Sequence, residues 1–377
     1  MILQEFLLSD VTVNFDRQRK PIKAAERTAG PYPYYGASGI VDKVAGYLFD
    51  GEYLLVAEDG ENLRTRKTPI AMIATGKFWA NNHAHVLQGN ELANTYYLAY
   101  AIEQLDISGY LTGSTQPKLT QSALNSIRLS LPSKINQDAI TKIVRTLDRK
   151  IAGNDHIATT SRNLGVALYQ SSINESFQVK SIGEISEVLT RGQAPKYTDD
   201  PSGIAVINQK CVRGGRVTPE PARLAEADRV KQDRILQRHD VLVNSTGVGT
   251  LGRVGIWSQN LTATADSHVT IIRMIPQIPA IVGGFAILAA QPQIESLGEG
   301  STGQTELGRT KLASLPIRIP SSNTEGLAQR LSNLEDRADA ALSESRALAE
   351  LRDALLPELM SGRLRVKDAE KVVEEAV

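Results

Sequence analysis

The 377-residue sequence has one cysteine, no net charge and no long apolar run. Cys211 alone excludes a disulfide within the chain, and a single cysteine is more often a bystander than a nucleophile. The five histidines and Cys211 show no spacing typical of a zinc site. No segment approaches the roughly 20 apolar residues of a membrane span, and the N-terminus lacks the features of a signal peptide. These absences predict a chain of the cytoplasm without a membrane partner.

Charge is balanced over the whole chain but unevenly distributed along it. Residues 209–238 contain eight Lys or Arg against four acids, and residues 325–360 contain eight acids against four Arg. The uneven distribution is consistent with one surface that faces phosphate and another that does not. A charge run is also often only a solvated face, and this alternative stays open for residues 223–238.

The stretch STGVGTLG contains Gly247, Gly249 and Gly252 in the spacing G-x-G-x-x-G. That pattern binds a dinucleotide only where the third glycine opens a helix, whose free N–H groups hold the pyrophosphate. Here the following residues form short β-branched runs, which indicate strands. We therefore predict a strand, a glycine turn and a strand; a hairpin whose glycines let the backbone approach a ligand stays open.

Two long segments, 137–172 and 325–360, have apolar residues at alternating spacings of four and three, the pattern of a long helix. Their stripes correspond one to one at an offset of 187 residues, as in Ile140 and Leu327. The first stripe runs from Ile140 to Ser161, and Leu164 and Leu168 continue it. Both stripes have period 3.5, so the economical packing is of one helix on the other as an antiparallel coiled coil. A helix of about 36 residues is roughly 54 Å long and would act as a spacer.

Asn154 interrupts the first stripe at a position where the pattern predicts an apolar residue. A polar residue at such a position can fix the register of paired helices at some cost in stability. Register setting is the favoured interpretation, with a helix end or a partner contact as alternatives.

The segments before the two helices also repeat. Gly113-Ser114-Thr115 matches 300–302 at the offset of 187, and farther upstream His85 pairs with His268 and Trp79 with Trp257. Both of these histidines precede apolar runs and are expected to be buried structural residues. The sequence therefore predicts an α+β fold of two β-rich domains and two long antiparallel helices, with an internal pseudo-two-fold repeat. The predicted boundaries are a first domain at 1–134, a central helix at 135–176, a second domain at 177–321, a distal helix at 322–362 and a tail at 363–377.

Several segments resemble those of the specificity subunits of type I restriction-modification enzymes. They are YPYYGASGIVDKV, GYLTGSTQPKLTQSALNSIRLSLPS, AITKIVRTLDRKIAGN and LAELRDALLPELMSGRLRV, and the domain order matches along essentially the whole chain. The resemblance implies a non-catalytic subunit with two target-recognition domains, each reading one half of a bipartite site in double-stranded DNA. It implies helices that fix the separation and bind two methylation subunits, alongside restriction (motor nuclease) subunits. S-adenosylmethionine, ATP and Mg are then expected only on partner subunits, and no cofactor on this chain.

The residues agree with that reading on one point, because the sequence shows no P-loop and no methyltransferase-like Asn/Asp-Pro-Pro-aromatic stretch. DNA contact requires Lys, Arg, hydroxyls and amides on loops that can enter a groove. In the first domain the predicted contact residues are Arg64, Arg66, Lys67, Thr112, Ser114, Thr115, Gln116 and Lys118. In the second they are Lys210, Arg213, Arg216, Asn244, Thr246, Arg253, Ser301, Thr302, Gln304, Thr305 and Arg309.

Two alternatives remain beside DNA recognition. Residues 64–67 could be a solvated hairpin tip without a ligand. The whole chain could be a coiled-coil scaffold whose two β domains bind protein, which would show no DNA binding and no dependence on salt.

Overall fold

A computed structural model describes residues 1–298 and 306–377 of the chain. It divides into two compact units, the first formed by Met1–Ile151 with Ala347–Val377 and the second by Ala152–Arg346. Each of the two long helices begins in one unit and ends in the other. The units are considered separately below.

Unit 1 is built on a six-stranded sheet with one additional two-stranded sheet. The six-stranded sheet has the order β2-β7-β5-β6-β3-β4, and β1 pairs with β8. The strands are β1 (Gln4–Leu7), β2 (Thr12–Asn14), β3 (Ala29–Gly36), β4 (Gly39–Val44), β5 (Phe49–Ala57), β6 (Ala71–Ala80), β7 (Ala84–Gly89) and β8 (Arg128–Leu131). The helices are α1 (Leu8–Val11), α2 (Asn62–Thr65), α3 (Thr95–Gln104), α4 (Gln121–Asn125) and the first part of α5 (Lys134–Glu175).

Unit 2 contains a second six-stranded sheet, in the order β10-β19-β16-β17-β14-β13, and a four-stranded sheet in the order β11-β15-β12-β18. Its strands are β9 (Phe177–Ser181), β10 (Ser186–Arg191), β11 (Tyr197–Thr198), β12 (Ile204–Ile207), β13 (Val212–Arg213), β14 (Gly215–Val217), β15 (Arg223–Ala225), β16 (Val241–Asn244), β17 (Val254–Ile256), β18 (Ala263–Ala265), β19 (Val269–Met274) and β20 (Pro316–Pro320). The remaining helices are α6 (Ala280–Ala289), α7 (Gln291–Ser296), α8 (Arg309–Ser314), α9 (Thr324–Ser361) and α10 (Val366–Ala376), of which α10 and the end of α9 belong to unit 1.

The internal repeat is visible in the strand order. The five strands β2-β7-β5-β6-β3 correspond to β10-β19-β16-β17-β14, and in both sheets only the last of these pairings is parallel. The two-stranded sheets β1-β8 and β20-β9 correspond as well. The edges differ, because β4 follows β3 in the chain whereas β13 precedes β14. The predicted α+β class with two β-rich domains and two long helices is confirmed.

The strand register changes which histidines are equivalent. His85 lies opposite Val56 in unit 1, and Thr270 lies opposite Val243 at the matching place in unit 2. The predicted equivalence of His85 and His268 is therefore wrong: the counterpart of His85 is a threonine. Pairing the two histidines by their distance along the sequence gave the wrong residue, because the segments before the two strands differ in length.

The two tryptophans are not equivalent either. Ala71, the first residue of β6, lies opposite Val56, and Val254, the first residue of β17, lies opposite Val243. Ala71 and Val254 are therefore equivalent. Three residues further along are Ala74 and Trp257, both fully buried, whereas Trp79 lies near the far end of β6. A bulky indole in unit 2 thus occupies the position of a small side chain in unit 1.

Both predicted long helices are confirmed, at 42 and 38 residues. The buried stripe of α5 follows the prediction from Ile140 to Ser161, but Leu164 is 48% exposed and Gly165 faces the core in its place. The cause is close packing: a Cβ on Gly165 would lie 2.7 Å from the ring of Phe285. The stripe therefore moves by one residue where α6 presses against the helix.

Within unit 2 the two long helices are antiparallel, as predicted. Asn154 Nδ2 donates to Glu344 Oε2 at 2.8 Å, and Arg162 Nη2 donates to Glu335 Oε2 at 2.8 Å, so the numbering rises in one helix as it falls in the other. Asn154 is buried inside α5 rather than at its end. Its contact across the helix pair supports the register-setting interpretation.

The Arg162–Glu335 ion pair is buried in the interior of unit 2, where Glu335 is 0% exposed. Arg216 approaches the same carboxylate at 3.3 Å and Asp339 at 3.4 Å. Burial raises the pKa of Glu335 and lowers the pKa of Arg162 to about 10, and the opposite charge of each partner counteracts the effect of burial on the other. A buried charge that loses its partner is strongly destabilising.

We predict that Glu335→Leu lowers the free energy of unfolding by about 3–5 kcal/mol, because it leaves the Arg162 guanidinium buried without a carboxylate. The double variant Arg162→Met/Glu335→Leu should recover most of this loss. Chemical denaturation of the full chain measures both. A single variant as stable as the wild type would contradict the prediction, and Glu358→Ala, in an exposed pair with Arg363, serves as a control expected to change little.

His239 makes the stability of unit 2 depend on pH. It has a positive φ of 69°, and burial together with the Arg238 charge lowers its pKa to about 4. The unfolded state therefore takes up a proton near the ordinary histidine pKa of about 6.5, and the folded state does so only near pH 4. The contribution of His239 to the free energy of unfolding is fully present above about pH 6.5 and falls as the pH decreases towards about 4.

We predict that His239→Asn makes the unfolding free energy less dependent on pH between about 6.5 and 4, since asparagine tolerates a positive φ and does not titrate. Denaturation at a series of pH values tests this. His156→Asn, at an exposed site on α5, is the matched control and should keep the wild-type slope. Equal slopes in all three proteins would show that His239 is not responsible.

Candidate nucleic-acid interface

In unit 1 two predicted contact segments meet at the end of β5. The chain leaves this strand through Gly60, whose φ is +106°, and then forms the short helix α2. Arg64, on α2, donates from Nη2 to the carbonyl oxygen of Gly113 at 2.9 Å. Segments 64–67 and 112–118 therefore form one surface, and residues 64–67 are not a free hairpin tip.

The segment 112–118 is a loop that is closed at its base. The backbones of Thr112 and Lys118 exchange two N–H···O hydrogen bonds of 2.8 Å. Gly113 has a φ of +85°, and a Cβ there would lie 2.2 Å from the Gln116 carbonyl oxygen, so only glycine fits. Ser114, Thr115 and Gln116 are exposed. The loop thus presents hydroxyl and amide groups on a constrained backbone.

A buried network that the sequence analysis missed holds the end of this loop to the sheet. His85 is fully buried, with Nδ1 2.6 Å from Asp16 Oδ2 and Nε2 2.8 Å from the Leu119 carbonyl oxygen. Both ring nitrogens lie within hydrogen-bond distance of an oxygen, so the ring is held at both ends. Asp16 and His85 lie 69 residues apart and show no motif, so only the fold reveals the pair.

A second carboxylate, Glu58, belongs to the same network. It accepts from Arg19 at 2.7 Å and lies 3.2 Å from Lys118 Nζ. Burial raises the pKa of Glu58, but the hydrogen bond from Arg19 and the nearby positive charges outweigh it and lower the pKa overall. In Asp16 burial is likewise outweighed, mainly by the hydrogen bond from His85, and its pKa is lowered. Both carboxylates are therefore ionised and fixed beneath the loop.

The glycine-rich stretch occupies the matching place in unit 2. Gly247 has a φ of +106°, the value found at Gly60, and Gly249 and Gly252 also have positive φ. Gly252 leads into strand β17, which pairs antiparallel with β16. The predicted strand, glycine turn and strand are confirmed, and the helix required by a dinucleotide fingerprint does not follow.

The same backbone corner is built in both units. Asp59 forms an isolated β-bridge with Lys118 in unit 1, and Thr246 forms one with Glu306 in unit 2. Next to the bridge in unit 1, the Glu58 carbonyl oxygen accepts a 2.8 Å hydrogen bond from the Leu119 N–H. In unit 2 the Ser245 carbonyl oxygen accepts one of 2.8 Å from the Leu307 N–H. The repeat therefore extends from strand order to individual backbone contacts at the predicted interface.

An exposed histidine stands beside each corner. His83 directly precedes β7 and His268 directly precedes β19, and the backbone N–H of each is capped by the side chain two residues earlier, Asn81 or Asp266. His268 was expected to be buried, which is wrong, whereas burial of His85 is confirmed. The true sequence pair, His83 and His268, could have been found from the HAH doublet by aligning the strands that follow.

The predicted contact residues fall into groups of different exposure. The exposed ones are Arg64, Lys67, Thr112, Ser114, Thr115, Gln116, Lys118, Lys210, Arg213 and Arg309. Partly buried are Arg66, Arg216, Thr246 and Arg253. Ser301, Thr302, Gln304 and Thr305 lie outside the described residues.

Arg66, Arg253, Asn244 and Arg216 are among the predicted residues held by their own unit. Arg66 donates to the Leu105 carbonyl oxygen at 2.7 Å, and Arg253 to that of Gly249 at 2.8 Å. Asn244 is 0% exposed, and Arg216 is bound by Glu335. For Asn244 and Arg216 this placement is a correction: burial and ion pairing keep both side chains from the surface, so neither belongs to the proposed contact set.

Part of the positive charge of residues 209–238 is paired with carboxylates inside unit 2. Arg216 pairs with Glu335, and Arg238 with Asp336, so cations of 209–238 neutralise acids of α9. The expectation that this basic excess forms a free phosphate-facing surface is accordingly weakened. Lys210 and Arg213 of this segment stay exposed.

No cluster of three His, Cys, Asp or Glu able to hold a metal occurs within residues 1–298 and 306–377. Cys211 lies in the core, where burial raises the pKa of its thiol. In the same described ranges, none of the helices combines the length and hydrophobicity needed to cross a membrane.

Comparison with known proteins identifies the kind of domain. Residues 3–159 match the family model described as "Type I restriction modification DNA specificity domain". A Haemophilus influenzae protein described as a type I restriction enzyme specificity subunit is 38% identical over 140 residues, 37% of this chain and 36% of that protein. The type I restriction enzyme EcoprrI specificity subunit of Escherichia coli is 28% identical over 120 residues, 31% of this chain and 28% of its own length.

A solved structure extends the likeness to the whole fold. The crystal structure of a type I restriction-modification system S subunit from M. genitalium has a TM-score of 0.62 at 13% identity, covering 95% of this chain and 96% of that one. The aligned segments span about a third of the length of the two sequence relatives. These matches confirm the resemblance to type I specificity subunits.

Proposed function

Because residues 3–159 form a type I restriction-modification DNA specificity domain, we propose that this chain is the non-catalytic DNA-recognition subunit of a type I enzyme. Each of its two β-rich domains, at 1–134 and 177–321, reads one half of a bipartite target in double-stranded DNA. The observation that carries the proposal is the corner built twice, with the same backbone bridges and the same glycine φ but different exposed side chains. Two readers of different half-sites require such a combination.

Loop 112–118 has the properties of a base-reading element. Its ends are fixed by paired backbone hydrogen bonds and by the buried network that Lys118 contacts, so its backbone loses little freedom on binding. Thr115 and Gln116 offer the hydroxyl and amide that hydrogen-bond base edges. Arg64 and Lys67 stand beside the loop as phosphate contacts, which position a protein on the duplex without specifying sequence.

In unit 2 the proposed contacts are the exposed cations Lys210, Arg213 and Arg309, together with Thr246 and Arg253 at the glycine turn. The residues predicted at 301–305 are kept as part of this proposal. Here Arg253 already donates to Gly249 and would have to reorient or contact DNA with its remaining N–H groups.

The long helices, proposed at 135–176 and 322–362, set the spacing between the half-sites and dock two methylation subunits and the restriction (motor nuclease) subunits. At 1.5 Å per residue, 42 and 38 residues give lengths of roughly 63 and 57 Å, more than the roughly 34–36 Å of one DNA turn. S-adenosylmethionine, ATP and Mg are assigned to those partner subunits. The proposed setting is the cytoplasm.

The decisive experiment is sequencing of modified bases in the source genome with and without this gene. We expect one split, gapped methylation motif to disappear on deletion and to return when the gene is supplied again. An unchanged set of methylated sites would refute the proposal. Reintroduction of a variant lacking Ser114–Gln116 should restore folded protein but not the motif.

A binding measurement separates DNA recognition from a protein scaffold. The proposal predicts that the affinity of the chain for duplex DNA falls steeply as salt increases, because each phosphate contact releases counterions. Titration of labelled duplex at several salt concentrations gives the slope. A scaffold that binds only protein would show no DNA binding at any concentration of salt.

We predict that Gln116→Ala weakens binding to the cognate site by about 1–3 kcal/mol while nonspecific binding stays the same, since the amide contacts a base and not the backbone. Competition between cognate and scrambled duplexes measures the difference. Gln4→Ala, exposed on the separate β1-β8 sheet, is the matched control. Unchanged discrimination in Gln116→Ala would remove this residue from the contact set.

A further inference from the structure

The two exposed histidines at the equivalent corners are held by different partners. His83 Nδ1 lies 2.7 Å from Asp59 Oδ2, and His268 Nδ1 lies 2.9 Å from Thr246 Oγ1. Asp59 and Thr246 are themselves the equivalent bridge residues. In the described part of the chain neither ring has a hydrogen-bond partner at Nε2, so that nitrogen is free to meet a ligand.

In unit 1 the partner fixes which nitrogen of the ring has the proton. An ionised carboxylate only accepts, so Nδ1 of His83 must donate to Asp59. In the neutral ring Nε2 then has a lone pair and no hydrogen. In its neutral form His83, half-exposed while Asp59 is 18% exposed, therefore presents a hydrogen-bond acceptor to its surroundings, whereas a doubly protonated ring would present a donor.

In unit 2 a chain of hydrogen bonds through Gln209 and Thr246 favours the opposite tautomer of His268. Gln209 Nε2 lies 2.6 Å from the Thr246 carbonyl oxygen and 2.7 Å from Thr246 Oγ1. The carbonyl oxygen only accepts, so this Gln209 atom is the amide nitrogen, and Thr246 Oγ1 accepts from it too. Thr246 Oγ1 keeps one proton, and His268 Nδ1 at 2.9 Å is the acceptor that the described residues offer it. Donation to Nδ1 satisfies both groups and leaves the hydrogen of the neutral ring on Nε2. His268 presents a donor.

We propose that His83 and His268 are equivalent specificity-determining residues that present opposite hydrogen-bonding groups to DNA bases, an acceptor in unit 1 and a donor in unit 2. This inference rests on the proposed function. In the major groove an acceptor matches the amino group of adenine or cytosine, and a donor matches N7 or O6 of guanine, N7 of adenine or O4 of thymine. One fold position would thus read two classes of base through its supporting residue.

The tautomers can be measured without DNA. The full chain, labelled with ¹⁵N-histidine, is examined at about pH 8, where most exposed imidazoles are neutral. We expect ring ¹⁵N shifts of the Nδ1–H form for His83 and of the Nε2–H form for His268, assigned with His83→Gln and His268→Gln. Thr246→Val should move only His268 towards a mixture. The same tautomer at both positions would overturn the inference.

The effect on recognition is tested with a library of random duplex DNA selected by the full chain. His83→Ala should lose about 5- to 150-fold discrimination at one base pair of one half-site, and His268→Ala at one base pair of the other, the range expected for a base contact of about 1–3 kcal/mol. His156→Ala, on the exposed face of α5, is the control, and thermal unfolding confirms that each variant folds.

The outcomes distinguish the two levels of inference. If the wild type selects no bipartite motif, the proposed function fails. If it selects one that neither variant alters, or that both weaken equally at every sequence, the proposed function stands and the histidine assignment is overturned.

Discussion

The candidate interface depends on one backbone constraint that the chain satisfies twice. Where the central strand of each six-stranded sheet ends, its last carbonyl group must find a donor, because a buried backbone group without a partner is costly. Leu119 supplies that donor to Glu58 in unit 1, and Leu307 supplies it to Ser245 in unit 2. These bonds attach Leu119 and Leu307 to the residues that directly follow the two central strands. The base of loop 112–118 is therefore held against the core of unit 1.

The two units stabilise this shared corner with different chemistry. In unit 1 the carboxylates beneath it, Asp16 and Glu58, pair with Arg19, and Asp16 also contacts His85. In unit 2 the counterpart of His85 is Thr270, whose hydroxyl bonds to that of Ser245. A neutral hydroxyl pair and a buried ionic network can each satisfy the polar groups of the corner. The backbone geometry is thus retained while the side chains have diverged.

Sequence alone predicted the large features because they depend on periodicity: two long helices, their antiparallel pairing and the duplication. It failed where the outcome depends on contacts distant in the chain. Leu164 fits the heptad stripe but is displaced by the approach of Phe285 to Gly165, and Trp79 and Trp257 share a residue type without sharing a position. The same limit applies to the site. Exposed loops such as 112–118 were found by composition, whereas no local pattern connects Asp16 with His85.

The glycine stretch shows how a motif can follow from backbone geometry alone. Gly60 and Gly247 have the same φ of +106° at the same corner, so one glycine is required by the fold in both units. Unit 2 then turns back into β17 within a few residues, and Gly249 and Gly252 take left-handed conformations to do so, with Gly252 also packed against the backbone of Glu295. Unit 1 uses the short helix α2 for the same connection and needs no further glycine. The G-x-G-x-x-G spacing therefore follows from the tighter turn of unit 2, which also places Thr246 Oγ1 2.9 Å from His268 Nδ1.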